Sequence, residues 1–381
     1  VRIAISALPL EKKNAHGNAG VARYTFWIVE ALRQLADSED LQLRVYVGED
    51  YEPPESWIED SRVEMVPVRS KIRKVRSLWN LFSATKEASR KDVDVWFGTS
   101  LAIPIRGRAP KVLMVHDLFA IDHPEWFSRA NGFIFGVALK LSIPKSKVLM
   151  ANSEATRQRL LRGWKLKADD VVVGLLGPGN DIVRVAPELV SQGELERIGV
   201  PFERFHLTLG TLEPRKNLRV AIDAVALNQS QFREDKTGLV VVGARGWKES
   251  PLFEQIEQRG VQDLVHFAGY VADEDLAKLF AKCEALLFPS LDEGFGLPVL
   301  EAQLGGGLPI CSDRGAIPEV AGPGVLKVDI TSPQAVASAM QLASQLDDRL
   351  QRIEDNFTFA REFTWERCAR ETLRGLRRAV G

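Results

Sequence analysis

Short β-branched and apolar runs alternate with helix-period stretches along almost the whole chain, and this switching constrains the fold more than any other feature. Runs bounded by turn residues and separated by helical patterns read as strands of a parallel sheet covered on both faces. In the first half the candidates are Arg2–Ser6, Leu43–Val47, Val63–Val68, Val93–Phe97, Lys111–Val115, Val148–Asn152 and Val171–Gly174. A second series runs Phe205–Gly210, Gly238–Val242, Leu264–Ala268, Ala285–Phe288, Leu308–Cys311 and Gly324–Val328. At 381 residues the chain is too long for one ordinary core. The pattern therefore predicts an α/β protein of two doubly wound domains, 1–185 and 200–364, followed by a helical segment 365–381. The junction falls between Gly177 and Pro201, where Gly177-Pro-Gly179 interrupts the alternation.

Composition narrows the class. Hydrophobic residues make up 45% and charged residues 27%, the balance of a soluble globular protein. No apolar run is long enough to span a bilayer, and Val1 to Ser6 reads as a strand, not a signal peptide, so the expected location is cytoplasmic, either free or peripheral on the inner face of the membrane. Cys283, Cys311 and Cys368 lie far apart without metal-ligand spacing, which argues against a zinc site or a disulfide framework. Residues 69–147 carry 15 Lys and Arg against 6 Asp and Glu, a local surplus that suits an anionic surface or acceptor. A nucleic-acid binder would show a wider basic stripe.

The chemistry concentrates in Pro289-Ser-Leu-Asp-Glu-Gly-Phe-Gly-Leu-Pro-Val-Leu-Glu301. Gly294 and Gly296 permit a tight turn and close approach of backbone to a ligand, and Pro298 suits the first turn of a helix. Amides of Gly294, Phe295, Gly296 and Leu297 then surround a helix start, where anions bind. Glu293 and Glu301 bracket this corner; taken alone they fit equally a pair of carboxylates complementing a helix dipole. Upstream, Gly210-Thr-Leu-Glu-Pro-Arg-Lys-Asn217 places Arg215 and Lys216 between a strand end and a helix start, where two cations can neutralise a departing diphosphate.

These two stretches, with Gly315-Ala-Ile-Pro-Glu-Val-Ala-Gly322, resemble the signature of retaining glycosyltransferases of the GT-B fold, in particular glycosyltransferase family 4. Gly17-Asn-Ala-Gly-Val-Ala-Arg-Tyr24, His116-Asp117 and Ala151-Asn-Ser-Glu154 extend the resemblance into the first half. It implies two Rossmann-like domains facing across a cleft, with the acceptor held by the first and the nucleotide sugar by the second. It implies catalytic roles for His116, Arg215, Lys216 and Glu293, and donor contacts from Gly20, Val271, Gly294, Phe295, Gly296, Leu297 and Glu301. Glu293 would hold sugar hydroxyls and Glu301 the ribose. His116 would orient the sugar, with Asp117 beside it. Attack on the same face, with the leaving phosphate taking the acceptor proton, needs no covalent nucleophile. The Glu-Pro-Arg-Lys-Asn form is similar to members that use GDP-mannose, and UDP- or dTDP-sugars fit the same physics. Many members carry an arginine directly after the glycine matching Gly210; Thr211 stands there, so Arg215 is the candidate replacement. The final helix from Trp365 to Arg378 resembles the family segment that crosses back to the first domain.

Several other stretches have simpler readings. Arg69 to Phe82 is a basic run merging into an aromatic one, which suits either an anionic leaflet or an ordinary helix packed on the sheet. Lys140, Lys145 and Lys147, after Phe133 and Phe135, extend that surface. Asp92-Val-Asp94 looks like a cation-binding pair but opens a strand, at the edge of a doubly wound sheet that does not bind ligands. No metal or cofactor is expected. Gly98-Thr-Ser-Leu-Ala102 lacks the last glycine of a hydrolase nucleophile elbow. Gly294-Phe-Gly-Leu-Pro-Val299 lacks the third glycine of a dehydrogenase fingerprint. A non-catalytic sugar-nucleotide binder would keep the second-half motifs without His116. Ser153 and Glu154 suit a helix cap.

Overall fold

The computed structural model describes residues 1–10, 20–68, 79–179, 182–244 and 250–381. Its contacts divide the chain into two compact units, Val1–Gly179 with Phe363–Gly381, and Asn180–Glu362.

The first unit is built on β1 (Arg2–Ser6), β2 (Gln42–Gly48), β3 (Val63–Val68), β4 (Val95–Gly98), β5 (Lys111–Val115), β6 (Val148–Ala151) and β7 (Val171–Val173). They form one parallel sheet in the order β3-β2-β1-β4-β5-β6-β7. Ile3 lies between Leu43 and Val95, which sets the register at the centre. β4 and β5 are buried throughout, as the unbroken apolar runs require. Trp96 and Phe97 are fully enclosed, each worth about 1.5–3 kcal/mol of transfer free energy. β4 starts two residues later than the apolar run, at Val95 and not Val93. The Asp94 carboxylate accepts from the Arg2 backbone N–H at 2.8 Å and from its guanidinium at 3.2 Å, tying the chain down before the strand begins.

The helix Gly20–Leu35 covers this sheet with Tyr24, Phe26, Ile28, Val29 and Leu32 buried at helical spacing. Beside it packs the last helix, Trp365–Val380, burying Cys368, Ala369, Leu373 and Leu376. Its start is capped by Thr364, whose Oγ1 accepts from the Arg367 N–H. Trp365 stacks on Trp27, and the two indole N–H groups donate to the Pro178 and Gly179 carbonyls. A Cβ on Gly177 would sit 2.6 Å from Trp365 Cδ1, so the glycine lets the indole close over the strand exit.

The second unit contains β8 (Arg204–Leu209), β9 (Thr237–Val242), β10 (Val265–Gly269), β11 (Leu286–Phe288), β12 (Pro309–Cys311) and β13 (Leu326–Lys327). The order is β10-β9-β8-β11-β12-β13, again all parallel. β13 is shorter than the apolar run Gly324–Val328 because its approach is bonded elsewhere. The Gly322 N–H donates to Gln303 Oε1 at 2.6 Å and the Gly324 N–H to Asn356 Oδ1 at 2.8 Å. Both α/β sheets are thus doubly wound, and each reverses direction beside its first strand, between β1 and β4 and between β8 and β11. In such sheets the ligand crevice lies beyond the carboxyl ends of those strands.

Candidate functional site

At the reversal point of the second sheet, β8 runs into Gly210 and β11 into Pro289. Gly210 has φ +129°, and a Cβ there would lie 3.0 Å from Lys216 Cε, so the glycine makes room for that lysine across the strand end. The turn Pro214–Lys216 follows, and Asn217 at φ 52° redirects the chain into the helix Leu218–Leu227. The Leu291 N–H donates to the Arg215 carbonyl at 2.9 Å, joining this turn to the loop after β11.

The side chains then meet. Lys216 Nζ donates to Glu293 Oε1 at 2.7 Å and lies 4.6 Å from the Phe288 ring centre. Arg215 Nη1 donates to the Asp292 carbonyl at 3.0 Å and pairs with Glu293 Oε2, while Nη2 donates to Glu213 Oε1 at 2.5 Å. Burial works against ionisation of Glu293, but Arg215 and Lys216 more than offset it and hold its pKa down at about 2. Burial also lowers the Lys216 pKa, with Glu293 pulling against it. Glu293 is therefore a carboxylate gripped by two cations.

Gly296, with φ +107°, precedes the helix Leu297–Leu304, whose first turn contains Pro298. Gly294, Phe295, Gly296 and Leu297 form the entry to that helix, next to the Glu293 cluster in sequence. Glu301 lies inside the helix and is 2% exposed. Val271, 9% exposed, follows Gly269 at the end of β10, where the Gly269 carbonyl accepts from the Gly243 N–H at 2.8 Å. Gly315, at the start of the third motif, has φ +58°. A Cβ there would lie 2.2 Å from Asp292 Oδ1 and 2.8 Å from the Glu293 backbone. The Ala316 N–H donates to the Glu293 carbonyl at 3.1 Å, so the loop after β12 clamps Glu293 from behind its backbone. Glu213 is a further participant that the sequence does not mark.

Among the described residues at the carboxyl ends of the first sheet's central strands, most groups are neutral. His116 follows β5, and its Nε2–H donates to the Thr99 carbonyl at 2.9 Å, leaving Nδ1 as an acceptor. The Tyr24 ring meets it edge-on at 4.7 Å. Burial lowers the His116 pKa to about 4, although the Thr99 bond opposes the shift, so the imidazole is uncharged at neutral pH. Thr99 Oγ1 donates to the Ser6 carbonyl at 2.7 Å and lies 3.1 Å from Thr25 Oγ1, and Ser6 Oγ donates to Asn80 Oδ1 at 2.7 Å. Asp117 caps the next turn, its Oδ1 accepting from the Phe119 N–H. Gly20 is exposed at the first position of its helix, and a Cβ there would meet nothing within 4 Å. Residues 11–19 before it, including Gly17, lie outside the described residues.

Other candidates resolve into structural roles. Ser153 Oγ caps its helix by accepting from the Thr156 N–H. Asp92 is paired with Arg44 and Arg90, and Asp94 with Arg2. A groove of about 320 Å³ at the amino ends of these strands is lined by Arg2, Arg44, Arg62, Glu64 and Asp92, whose arginines are bonded to carboxylates. Among the described residues, no three His, Cys, Asp or Glu side chains are grouped to hold a metal ion, and no helix is long and apolar enough to cross a membrane. The three cysteines are free and buried. Most of the basic run from Arg69, residues 69–78, lies outside the described residues.

Comparison with known proteins addresses both halves. The family profile described as Glycosyltransferase Family 4 matches residues 19–174, and that described as Glycosyl transferases group 1 matches residues 200–358. O-antigen chain mannosyltransferase B of Escherichia coli is 30% identical over 281 residues, 73% of each chain. O-antigen chain mannosyltransferase RfbU of Salmonella typhimurium is 24% identical over 344 residues, 88% of this chain and 90% of the relative. Among solved structures, Anabaena HepE in complex with UDP and glucose has a TM-score of 0.69 at 18% identity, with 99% of both chains covered.

Proposed function

The chain belongs to glycosyltransferase family 4 and has the GT-B fold, and from that premise we propose that it transfers mannose from GDP-mannose to a saccharide or lipid-linked hydroxyl with retention at the anomeric carbon. The observation that carries this reading is the pairing of Arg215 and Lys216 with Glu293 at the second sheet's reversal point, beside the glycine-led start of a helix. Mannose is favoured because two relatives that match 73% and 88% of this chain are named mannosyltransferases.

In this reading the acceptor oxygen bonds to C1 as the bond from C1 to the phosphate oxygen breaks on the same face. The acceptor proton passes to the departing diphosphate. Arg215, Lys216 and the amides around Phe295 and Gly296 meet the growing negative charge, so no metal is required. Glu293 fixes the cations and reaches sugar hydroxyls, Glu301 the ribose, and Val271 the base. His116 presents Nδ1 as a neutral acceptor to a sugar hydroxyl, and Gly20 leaves room for the donor to approach the backbone. The first unit takes the acceptor.

A lipid-linked acceptor also calls for a surface that meets an anionic leaflet. The helix Arg129–Ser142 leaves Phe133, Ile134, Val137 and Leu141 exposed on one face, with Lys140 beside them. Phe82, 55% exposed, is a further apolar group of the same unit. We assign the membrane contact to this ridge. Phe133→Ser should lower co-sedimentation with phosphatidylglycerol vesicles without changing turnover on a water-soluble acceptor; unchanged co-sedimentation would remove the assignment.

The donor is tested by thermal shift with GDP-mannose, UDP-glucose and dTDP-glucose, since a ligand of the native state raises the melting temperature with occupancy. GDP-mannose is expected to give the largest shift, and Glu301→Ala to abolish it. A shift confined to UDP-glucose overturns the donor assignment.

A further inference from the structure

The ion cluster contains one more charge than a phosphate site needs. Glu213 opens the turn Pro214–Lys216, yet its carboxylate does not cap that turn; it accepts from Arg215 Nη2. Both side chains of the pair are largely enclosed, 15% exposed for Glu213 and 17% for Arg215. Arg215, Lys216, Glu213 and Glu293 together sum to zero charge. Enclosing a second carboxylate costs desolvation and weakens the field that would attract an anion. A site built only to hold phosphate tightly would leave an apolar or amide side chain at 213.

We propose that Glu213 is a positioning residue and counter-charge: acting through Arg215, it fixes the guanidinium and lowers the affinity for the nucleoside diphosphate product, so that product leaves after transfer. The proposal rests on the reading of this crevice as a nucleoside diphosphate site. With donor bound, Glu293 and Glu213 share the two cations with the phosphates. Once the sugar has gone, Glu213 competes with the product for the guanidinium. The carboxylate thus trades ground-state affinity for release, which limits turnover in many transferases of small ligands.

The experiment is calorimetric titration of the intact protein with GDP and with UDP, alongside steady-state kinetics. Glu213→Gln keeps an oxygen to accept from Arg215 but removes the charge. It should tighten binding of the preferred nucleotide roughly tenfold, the order expected for one uncompensated charge at partly buried separation. It should also lower kcat and strengthen product inhibition, with the melting temperature of the free protein unchanged. Glu213→Asp, which keeps the charge, should stay within about twofold of wild type. Should Glu213→Gln not fold, Glu213→Asn, which keeps an amide oxygen without the charge, carries the same expectation and is read against Glu213→Asp. A purely structural role would instead loosen Arg215 and weaken binding. Unchanged or weaker binding in the charge-free variants, or equal tightening by Glu213→Asp, overturns the proposal. If wild type binds neither nucleotide, the functional reading fails together with it; if wild type binds one and only the variant result fails, the functional reading stands.

Discussion

The two sheets reverse at the same place in their strand order, yet the side chains waiting there have opposite character. Beyond β8 and β11 stand two cations and two carboxylates in direct contact. Among the described residues beyond β1, β4 and β5 stand hydroxyls, an amide and an uncharged imidazole, and the one carboxylate directly after β5, Asp117, accepts from the Phe119 N–H. Connectivity supplies the position of a crevice, and the few residues just past each strand end decide what it can hold. Charge at the second sheet suits a diphosphate. Neutral donors and acceptors at the first suit hydroxyls, which a strong field would not help to orient.

The comparison breaks most readily at Lys216 and Arg215. Lys216→Ala or Arg215→Ala should lower kcat by roughly 100- to 1000-fold under saturating donor, the usual cost of removing a group that meets charge in the transition state. His116→Ala, which removes a neutral contact, should cost no more than about 100-fold. Steady-state kinetics on the three variants decides; a larger loss at His116 would mean that the neutral crevice carries the chemistry.

Acid stability separates the charge types next. His116 and His206 both have pKa values lowered to about 4, chiefly by burial. His206 stacks on Phe232 at 5.7 Å, and neither ring nitrogen has a hydrogen-bond partner among the described residues. The unfolded chain binds these protons near pH 6.5, so stability is full above that value and declines as pH falls toward 4, by up to about 3 kcal/mol per histidine. Glu293 acts in a lower window. Its pKa is depressed to about 2, so its contribution is present above about 4.5 and is lost as pH falls through 2. The melting temperature of wild type should fall relative to that of His206→Leu as pH is lowered from 8 to 4. Parallel curves would mean that His206 does not titrate on unfolding.

Gly315→Ala should have a smaller effect, about 2 kcal/mol of destabilisation. The added methyl meets Asp292 Oδ1 and the Glu293 backbone, and the left-handed φ of +58° disfavours alanine. Because Glu293 moves with its backbone, kcat should fall about tenfold; wild-type turnover would show that the clamp does not set the position of the carboxylate.

That clamp marks the limit of what the residues disclose before folding. Strand positions were legible because apolar runs and turn residues are local signals, and the β8 and β11 exits could be placed from them. Where β4 and β13 differ from the apolar runs, distant partners intervene: Arg2 for Asp94, and Gln303 and Asn356 for the glycines before β13. The ion cluster shows the same effect. Arg215 and Lys216 read in the sequence as cations for a departing diphosphate, whereas in the structure both pair with Glu293, Lys216 across 77 residues. Periodicity carries no information about such a pairing. Glu213 lies within the stretch Gly210–Asn217, and nothing in its spacing marks it as the partner of Arg215.

The smallest expected effect lies at the opposite edge of the first sheet, where acidic residues are again close together. Asp92 and Asp94 resemble a cation-binding pair only in sequence, since Asp92 is held by Arg44 and Arg90 and Asp94 by Arg2. Each carboxylate already has its counter-charge, and exposed ion pairs of this kind contribute little. Asp92→Asn and Asp94→Asn should therefore leave turnover at the wild-type value, in EDTA as in magnesium. If EDTA abolished activity in wild type and either variant mimicked that loss, these carboxylates would be cation ligands. The contrast between a charged crevice and a neutral one would then need a third, metal-holding edge.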